Sequence, residues 1–170
     1  MSAYKYMQAL WKKPKQNLGA IYSERLFQWR SEPSTVRVEH PTRLDRARAL
    51  GFKAKQGYFV VRQRVSRGGR MRPKIRAGRR SAHYRRNKVL SMSYQWVAEQ
   101  RAAREHTNTE VLNSYFVGKD KDYYYYEVIL VDKAHPVVKA DMPWIAKNKN
   151  KGRVFRGLTS AARKSRGGLV

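Results

Sequence analysis

The stretch that decides the fold is VLNSYFVGKDKDYYYYEVILVD, residues 111–132. Val111–Val117 is rich in β-branched and aromatic residues, as is typical of a strand. Gly118–Asp122 consists of turn-forming and charged residues, and Tyr123–Asp132 returns to β-branched and aromatic residues. Two such runs joined by a short turn predict an antiparallel β-hairpin.

A third strand is predicted upstream of the hairpin, at Tyr58–Val65. Its second half alternates, so that Val61 and Val65 share one face and Arg62 and Arg64 share the other. We expect the valine face to join a core and the arginine face to offer guanidinium groups. The run Tyr123–Tyr126 also alternates, so two of its tyrosines are expected to face solvent or a partner.

Helices are predicted around these strands from apolar residues at helical spacing and from capping and helix-ending residues. Thr42 and Asp45 have the spacing of a capping box, and Ser2 and Thr159 are predicted as caps. The expected helices are Ser2 to about Lys13, Asn17 to Ser31, Thr42 to Gly51, Lys88 to Arg104 and Thr159 to Lys164. The fold class is therefore expected to be α/β, of the α+β type, with a small antiparallel sheet packed with helices.

The charge of the chain points to a polyanionic partner. The 170 residues include 38 Lys and Arg but only 12 Asp and Glu, a net charge of +26. Self-repulsion at this density destabilises a compact state unless a polyanion neutralises it. The composition therefore argues against a small-molecule enzyme and favours a protein that is bound to nucleic acid.

This charge is unevenly distributed along the sequence. Residues 46–98 contain 12 Arg, four Lys and no acid, and residues 142–170 contain eight basic residues and no acid. Residues 99–141 carry a net charge of −2. We expect a single domain over 1–170, with globular elements at about 1–65 and 88–141. A basic internal extension is expected at about 66–87, with a basic C-terminal extension at 142–170.

The basic segments favour RNA over DNA. The segment 62–88 has too few aliphatic residues to fold as a globule, so it is either a solvated loop or an extension threaded into folded RNA. Arginine, in excess over lysine, suits bidentate phosphate contacts and stacking on bases. No leucine zipper, zinc finger or helix-turn-helix pattern indicates DNA binding. The glycines of Arg67-Gly68-Gly69-Arg70 allow close approach to phosphate, or simply a tight turn.

Nothing in the sequence indicates catalysis or a membrane segment. The four histidines are far apart, and there is no G-x-S-x-G, Walker A or G-x-G-x-x-G pattern. Asp120, Asp122, Glu127 and Asp132 are spaced poorly for a Mg²⁺ nuclease site. The longest aliphatic run, residues 128–131, is far shorter than the ~20 residues of a membrane span. We expect a cytosolic protein that is not an enzyme and binds no metal or small molecule.

Several long motifs resemble a known family. They are AYKY at residues 3–6, PTRLDRAR at 41–48, GFKAKQGY at 51–58, RVSRGGR at 64–70, LNSY at 112–115, EVILVD at 127–132 and RGLTSAARKSRG at 156–167. In this order and spacing they resemble the L-fifteen-e family of large-subunit ribosomal proteins, found in archaea and eukaryotes. The compact length is closer to the archaeal members.

The resemblance implies a structural constituent of the large ribosomal subunit that stabilises folded rRNA and supports translation in the cytoplasm. It implies an α/β body with an antiparallel sheet and long extensions that thread into RNA. The implied partners are large-subunit rRNA and neighbouring ribosomal proteins, not a second copy of the chain. No cofactor is implied beyond structural Mg²⁺ held by the rRNA.

Charge and resemblance together place the expected RNA contacts in three stretches. The candidate residues are Arg43, Arg46, Arg48, Lys53, Lys55, Gln56, Arg62, Arg64, Arg67, Gly68, Gly69, Arg70, Arg72, Lys74, Arg76, Arg79, Arg80, Arg85, Arg86, Lys88, Arg156, Thr159, Ser160, Arg163, Lys164 and Arg166. Two other functions stay open from the residues alone. One is a free nucleic-acid-compacting architectural protein, and the other is a Mg²⁺-dependent nuclease.

Overall fold

The computed structural model describes residues 3–88 and 90–167. The expected cap at Ser2 lies outside these residues, as do Val89 and Gly168. The helices are α1 (Ala3–Lys12), α2 (Pro14–Asn17), α3 (Gly19–Ser31), α4 (Leu44–Ala49), α5 (Tyr94–Glu105), α6 (Pro136–Asp141), α7 (Pro143–Ala146) and α8 (Ser160–Ser165). The strands are β1 (Thr35–Val38), β2 (Tyr58–Ser66), β3 (Arg70–Met71), β4 (Asn87–Lys88), β5 (Thr109–Lys119) and β6 (Tyr123–Asp132).

Four strands form one antiparallel sheet in the order β1-β2-β6-β5. The predicted hairpin is confirmed as β5 and β6, and the predicted third strand is confirmed as β2. Strand β2 pairs with β6 along its whole length, from Tyr58 opposite Val131 to Ser66 opposite Tyr123. The mixture of helices with an antiparallel sheet confirms the expected α+β class.

Helices cover both faces of this sheet. On one face, Val128 and Leu130 pack with Trp96 of α5 and with the alanines of α8. On the other face, Tyr125 and Ile129 pack around Trp29 of α3, which places a second apolar cluster there. The sheet is therefore the middle layer of three, and its strands are apolar on both sides.

This layering changes the expectation for the tyrosine run. Tyr125 and Tyr126 are buried on opposite faces, and Tyr123 and Tyr124 are half-buried. The ring of Tyr124 stacks on that of Tyr94, with 5.0 Å between the ring centroids. The prediction that one pair would face solvent or a partner was wrong, because α5 covers the face that it left open.

Strand β5 contains two bulges that change which side chains face which layer. Val111 is opposite Leu130 and Asn113 is opposite Ile129, so Leu112 is an extra residue in the pairing. The second bulge lies between Phe116 and Gly118. A Cβ at Gly118 would lie 2.9 Å from the Tyr22 hydroxyl oxygen and 3.3 Å from Leu26, so only glycine fits where α3 crosses β5.

Helix boundaries differ from the expected ones at two places. Pro14 ends α1 as predicted, but it is also the first residue of α2, where its missing N–H costs nothing. Helix α5 begins at Tyr94 rather than Lys88, because the Ser93 side chain accepts a hydrogen bond from the Trp96 amide. Lys88 instead belongs to β4.

The C-terminal segment, expected as an extension, lies on the body in its described part, residues 142–167. Ile145 and Val154 are buried and join the apolar clusters. The predicted cap at Thr159 is confirmed, since its side chain accepts from the Ala162 amide. This segment therefore contributes packing as well as charge.

Candidate nucleic-acid interface

The expected RNA-binding residues divide sharply by exposure. Among them only Arg62 and Thr159 are buried. Those that are half-buried are Arg43, Arg64, Arg72, Arg79 and Ser160. The exposed ones are Arg46, Arg48, Lys53, Lys55, Gln56, Arg67, Gly68, Gly69, Arg70, Lys74, Arg76, Arg80, Arg85, Arg86, Lys88, Arg156, Arg163, Lys164 and Arg166.

The internal extension leaves the sheet after β2 and returns before α5. Strands β3 and β4 pair across its base, with Arg70 opposite Lys88, and the Arg72 amide donates to the Arg86 carbonyl at 2.9 Å. In the described residues 67–88, every residue except Arg72 and Arg79 is exposed. Most of its cations, among them Arg70, Arg76 and Arg80, therefore point into solvent, whereas Arg79 donates to the Pro73 carbonyl at 2.7 Å.

Arg67 fastens the base of the extension to the β5–β6 turn. Its amide donates to the Asp122 carbonyl at 2.8 Å, and its Nη1 donates to the Asp120 carbonyl at 2.6 Å. Its guanidinium also lies 5.0 Å from the centre of the Tyr124 ring. The next residue, Gly68, exchanges hydrogen bonds with the Tyr94 hydroxyl. Arg67 is thus committed to internal contacts despite its exposure.

Asp120 organises the turn to which Arg67 is fastened. Burial tends to raise the pKa of the Asp120 carboxyl, but donors surround it. The amides of Tyr123 and Asp122, the Tyr125 hydroxyl and the Arg30 guanidinium together lower that pKa below its usual value of 3.8. The Asp120 carboxylate therefore interacts with donors of the protein itself.

Strand β2 does not present the guanidinium face that its alternation predicts. Arg62 is buried, its Nη2 lies 2.5 Å from Glu32 Oε2, and its guanidinium lies 4.8 Å from the centre of the Trp29 ring. Arg64 donates from Nη1 to the Arg30 carbonyl at 2.6 Å. Helix α3 covers this face, so Arg62 faces the interior rather than a solvent-borne ligand.

Thr42 does not form the predicted capping box with Asp45. Its amide and hydroxyl both donate to the Glu127 carboxylate, which also accepts from the Tyr115 hydroxyl. Burial raises the pKa of Glu127, and these hydrogen bonds oppose that rise. The residue before the helix is Arg43, and it has no side-chain capping bond. Because Glu127 anchors Thr42, it also fixes the position of Arg43 and of the start of α4.

Helix α4 and the loop after it carry the next group of cations. Arg46 and Arg48 are exposed on α4, and Arg48 Nη1 donates to the Tyr4 hydroxyl. After the helix, Lys53 Nζ and Lys55 Nζ lie 3.1 and 3.3 Å from Asp141 Oδ2. These lysines lower the pKa of Asp141, chiefly through the hydrogen bond from Lys53.

The C-terminal candidates have mixed roles. Thr159 is fully buried, and its hydroxyl donates to Glu99 at 2.6 Å, so it serves the fold. Arg156 donates to the carbonyls of Lys149 and Lys151. Arg163 and Lys164 are exposed on α8 and form no ion pair with another described residue.

Buried acids make the surface more basic than the sequence suggests. Glu99, Glu110 and Glu127 are all at most 5% exposed, and they lie in the segment whose net charge is −2. Burial raises the pKa of Glu99, which accepts from the hydroxyls of Ser114 and Thr159. Part of the negative charge of this segment is therefore internal, whereas Arg101, Arg104, Lys119, Lys121 and Lys139 are exposed.

Sequence reasoning missed a cationic cleft of about 610 Å³ beside the extension. Lys15, Arg30, Lys119 and Lys121 line it together with Arg67. They come from α2, α3, the β5–β6 hairpin and the segment after β2, which are far apart in the sequence. Asp120, whose side chain is 5% exposed, also lines the cleft and pairs with Arg30 at 3.3 Å. Only the tertiary packing, which the sequence does not give, brings these cations together.

The described residues offer no support for the nuclease alternative or for a membrane span. No three His, Asp or Glu side chains among them cluster closely enough to hold a metal ion. Likewise, within residues 3–88 and 90–167, no helix has the length and apolar character needed to cross a bilayer.

Comparison with known proteins identifies the family. The sequence model of the family described as Ribosomal L15 matches residues 2–169. The chain is 52% identical to the large ribosomal subunit protein eL15 of Picrophilus torridus, over 98% of this chain and 88% of that protein. It is 50% identical to the proteins of the same name from Nanoarchaeum equitans and Methanocella arvoryzae, over 98% of this chain and 89% and 87% of theirs.

These relatives are ribosomal proteins rather than enzymes, which agrees with the expected absence of a catalytic role. They are also archaeal proteins. The sequence motifs, the three-layered α+β body and the match over nearly the whole chain lead to one conclusion. The chain belongs to the Ribosomal L15 family.

Proposed function

We propose that this chain is a structural constituent of the large ribosomal subunit, in the cytoplasm, where it binds and stabilises folded large-subunit rRNA. The observation that carries the proposal is the exposed, acid-free extension of residues 67–88, on a body that buries Asp45, Glu99, Glu110 and Glu127. Family membership supports the same reading, since the relatives are named as large-subunit proteins.

The proposed mechanism is neutralisation of crowded phosphates. Each exposed Arg or Lys that pairs with a phosphate releases condensed counterions, so affinity falls as the salt concentration rises. Arginine adds bidentate geometry and can stack on unpaired bases. Selectivity would come from RNA shape, because irregular cationic segments match folded RNA better than a regular duplex.

The partners in this proposal are large-subunit rRNA and neighbouring ribosomal proteins, with no second copy of the chain required. Of the expected contacts, the half-buried and exposed residues are retained as proposed RNA ligands, except Arg67, whose side chain is committed to the β5–β6 turn. Arg62 and Thr159 are assigned to the fold, because their side chains are buried in internal hydrogen bonds.

Sedimentation of cell extract through a sucrose gradient tests this function. We expect the chain to sediment with large subunits and to leave them only at high salt. A free architectural protein would instead stay at the top of the gradient or follow DNA. Recovery mainly outside ribosomal fractions would therefore contradict the proposal.

A triple variant locates the RNA contacts. Arg76, Arg80 and Arg85 are exposed, and their side chains have no hydrogen-bond partner among the described residues, so replacing them with Ala should leave the body folded. We expect weaker incorporation into subunits and a salt dependence reduced by roughly 0.7–0.9 per lost phosphate contact. The matched triple Lys variant keeps the charge and should recover part of the binding. Equal incorporation of wild type and the Ala variant would contradict the assignment of the extension to the RNA interface.

A further inference from the structure

A second cleft, of about 580 Å³, lies between α1, α4, β5 and α8. We propose that it is a binding site for one unpaired RNA nucleotide, with guanine preferred. The inference rests on the proposed function, because it names a ligand within the RNA that the chain binds. The volume is within the range of small-ligand sites, roughly 300–1,000 Å³.

Two charged residues of the cleft lack the hydrogen bonds that buried groups normally have. The Asp45 side chain is 2% exposed, and its Oδ1 has no hydrogen-bond partner among the described residues. Its Oδ2 lies 3.7 Å from Arg43 Nη2, which is too long for a hydrogen bond, and Arg43 Nε is also unpaired. Buried polar atoms almost always have a hydrogen-bond partner, so this pair can still accept and donate hydrogen bonds to a ligand.

Arg43 is the movable member of the pair. Its side chain is 21% exposed, and its guanidinium lies 5.3 Å from the centre of the Trp11 ring. No hydrogen bond from another described residue holds the Arg43 side chain, whereas the neighbouring Thr42 is fixed by Glu127. A base reaches Asp45 when the Arg43 side chain rotates aside, a change of the kind common at interfaces.

The rest of the cleft matches the other parts of a nucleotide. Lys12, Arg46 and Lys164 are exposed at its rim, where a phosphate would be neutralised. Trp11 and the 39%-exposed Phe116 offer rings on which a base can stack. A neutral or cationic ligand would gain nothing from this rim.

The Asp45–Arg43 pair selects among the bases. The carboxylate accepts hydrogen bonds, and guanine presents two adjacent N–H donors, N1–H and the N2 amino group, beside the O6 acceptor. Arg43 then donates to O6, a common partner of arginine in nucleic-acid complexes. Uracil has a single N–H donor between two acceptors, so it is the poorest match for a carboxylate.

The test compares RNA hairpins that differ in one nucleotide: a bulged guanosine, a bulged adenosine, a bulged uridine, or no bulge. The full chain and its Asp45→Asn variant are titrated with each. We expect wild type to prefer the guanosine bulge over the paired hairpin, and Asp45→Asn to lose about tenfold of affinity for that bulge. The variant removes a negative charge, so simple electrostatics predicts the opposite change.

Glu24→Gln is the matched control, because it removes an exposed acid on α3 outside the cleft. It should strengthen binding to all hairpins slightly and equally. Ala49→Phe fills the cleft without altering the charged pair, and it should also abolish the guanosine preference. Ala49→Phe therefore keeps the idea testable where Asp45→Asn unfolds the chain, which circular dichroism would reveal.

Sedimentation of the same proteins separates the two proposals. If wild type is in large subunits but does not distinguish the hairpins, the cleft inference is overturned and the proposed function stands. If Asp45→Asn strengthens binding as Glu24→Gln does, the inference is overturned as well. A wild-type chain absent from subunits would refute the proposed function itself.

Discussion

The sheet body and the internal extension use the same residue, arginine, in opposite ways. In the body, Arg62 and Arg153 are turned inward, where they donate to Glu32 and to the carbonyls of Val111 and Leu112. In the extension, Arg70, Arg76 and Arg80 are exposed. Between the apolar layers, arginine donates hydrogen bonds to acceptors inside the fold. In the extension, where there are no such layers, arginine is free to bind an external anion.

The comparison also shows why the chain carries so much positive charge without losing its fold. Many of the repulsive cations lie on the extension, which contributes little apolar packing, and the buried carboxylates of Glu99 and Glu127 accept hydrogen bonds from neighbouring hydroxyls. The fold is therefore held by the body alone, and the extension can be altered without unfolding it. Three pairs of substitutions test this division.

The largest effect is expected from truncating an isoleucine in each region. Ile129 is fully buried in the sheet, and Ile75 is 54% exposed in the extension. Ile129→Ala should lower the free energy of unfolding by about 2–5 kcal/mol. Ile75→Ala should change it by less than about 0.5 kcal/mol, as is usual for exposed sites.

Urea denaturation of both full-length variants measures this difference. An Ile75→Ala loss comparable with that of Ile129→Ala would mean that the extension shares in the core, and the division between the two regions would be withdrawn.

A smaller effect is expected from glycines in the two regions. Gly118→Ala would place a methyl group 2.9 Å from the Tyr22 hydroxyl oxygen, so overpacking should cost about 1–3 kcal/mol. Gly69→Ala meets nothing closer than Asn87 at 3.9 Å and should be neutral. Thermal unfolding of the two variants tests this, and an unchanged melting temperature for Gly118→Ala would argue against close packing of α3 on β5.

The smallest effect concerns the turn where the two regions meet. Asp120→Asn removes a carboxylate that accepts from several donors, so we expect a loss of about 1 kcal/mol at neutral pH. Because the folded-state pKa is lowered, this stability is present above the ordinary pKa of 3.8. It is lost as the pH falls through the lower, folded-state value.

The wild-type and Asn chains should therefore converge in stability as the pH is lowered below 3.8. Asp122→Asn is the matched control, since Asp122 is exposed and only its backbone is bonded. A difference between wild type and Asp120→Asn that does not vary with pH would show that the carboxylate charge is not what stabilises the turn.

The elements that could be predicted from the sequence are those that depend on local patterns. The hairpin and β2 follow from runs of β-branched and aromatic residues, and Thr159 caps α8 because its partner, the Ala162 amide, is three residues away. Such features depend on neighbours in the chain, so periodicity and spacing are enough to place them.

Most of the failures involve partners distant in the chain, whereas the late start of α5 has a local cause, the cap at Ser93. Thr42 has a capping-box spacing, but the Glu127 carboxylate, 85 residues later, takes its hydrogen bonds. The arginine face of β2 is covered by α3, and the open tyrosine face is covered by α5. Alternation tells which residues share a face, but not whether a second layer lies over it. The same limit applies to the candidate site. Arg62 was assigned to RNA by its charge although α3 covers it, and the cations of the cleft around Lys119 come from elements that are far apart in the chain.

The bulged strand β5 has a further consequence for how the chain behaves before assembly. β5 is at the edge of the sheet, and an edge with free carbonyls is a template for pairing with another chain. Here Arg153 donates to the carbonyls of Val111 and Leu112 at 2.7 and 3.0 Å, and Gln95 Nε2 donates to that of Ser114 at 3.0 Å. Side chains thus occupy three carbonyls of the irregular edge, and we expect them to hinder pairing with another strand while the chain is still free of RNA.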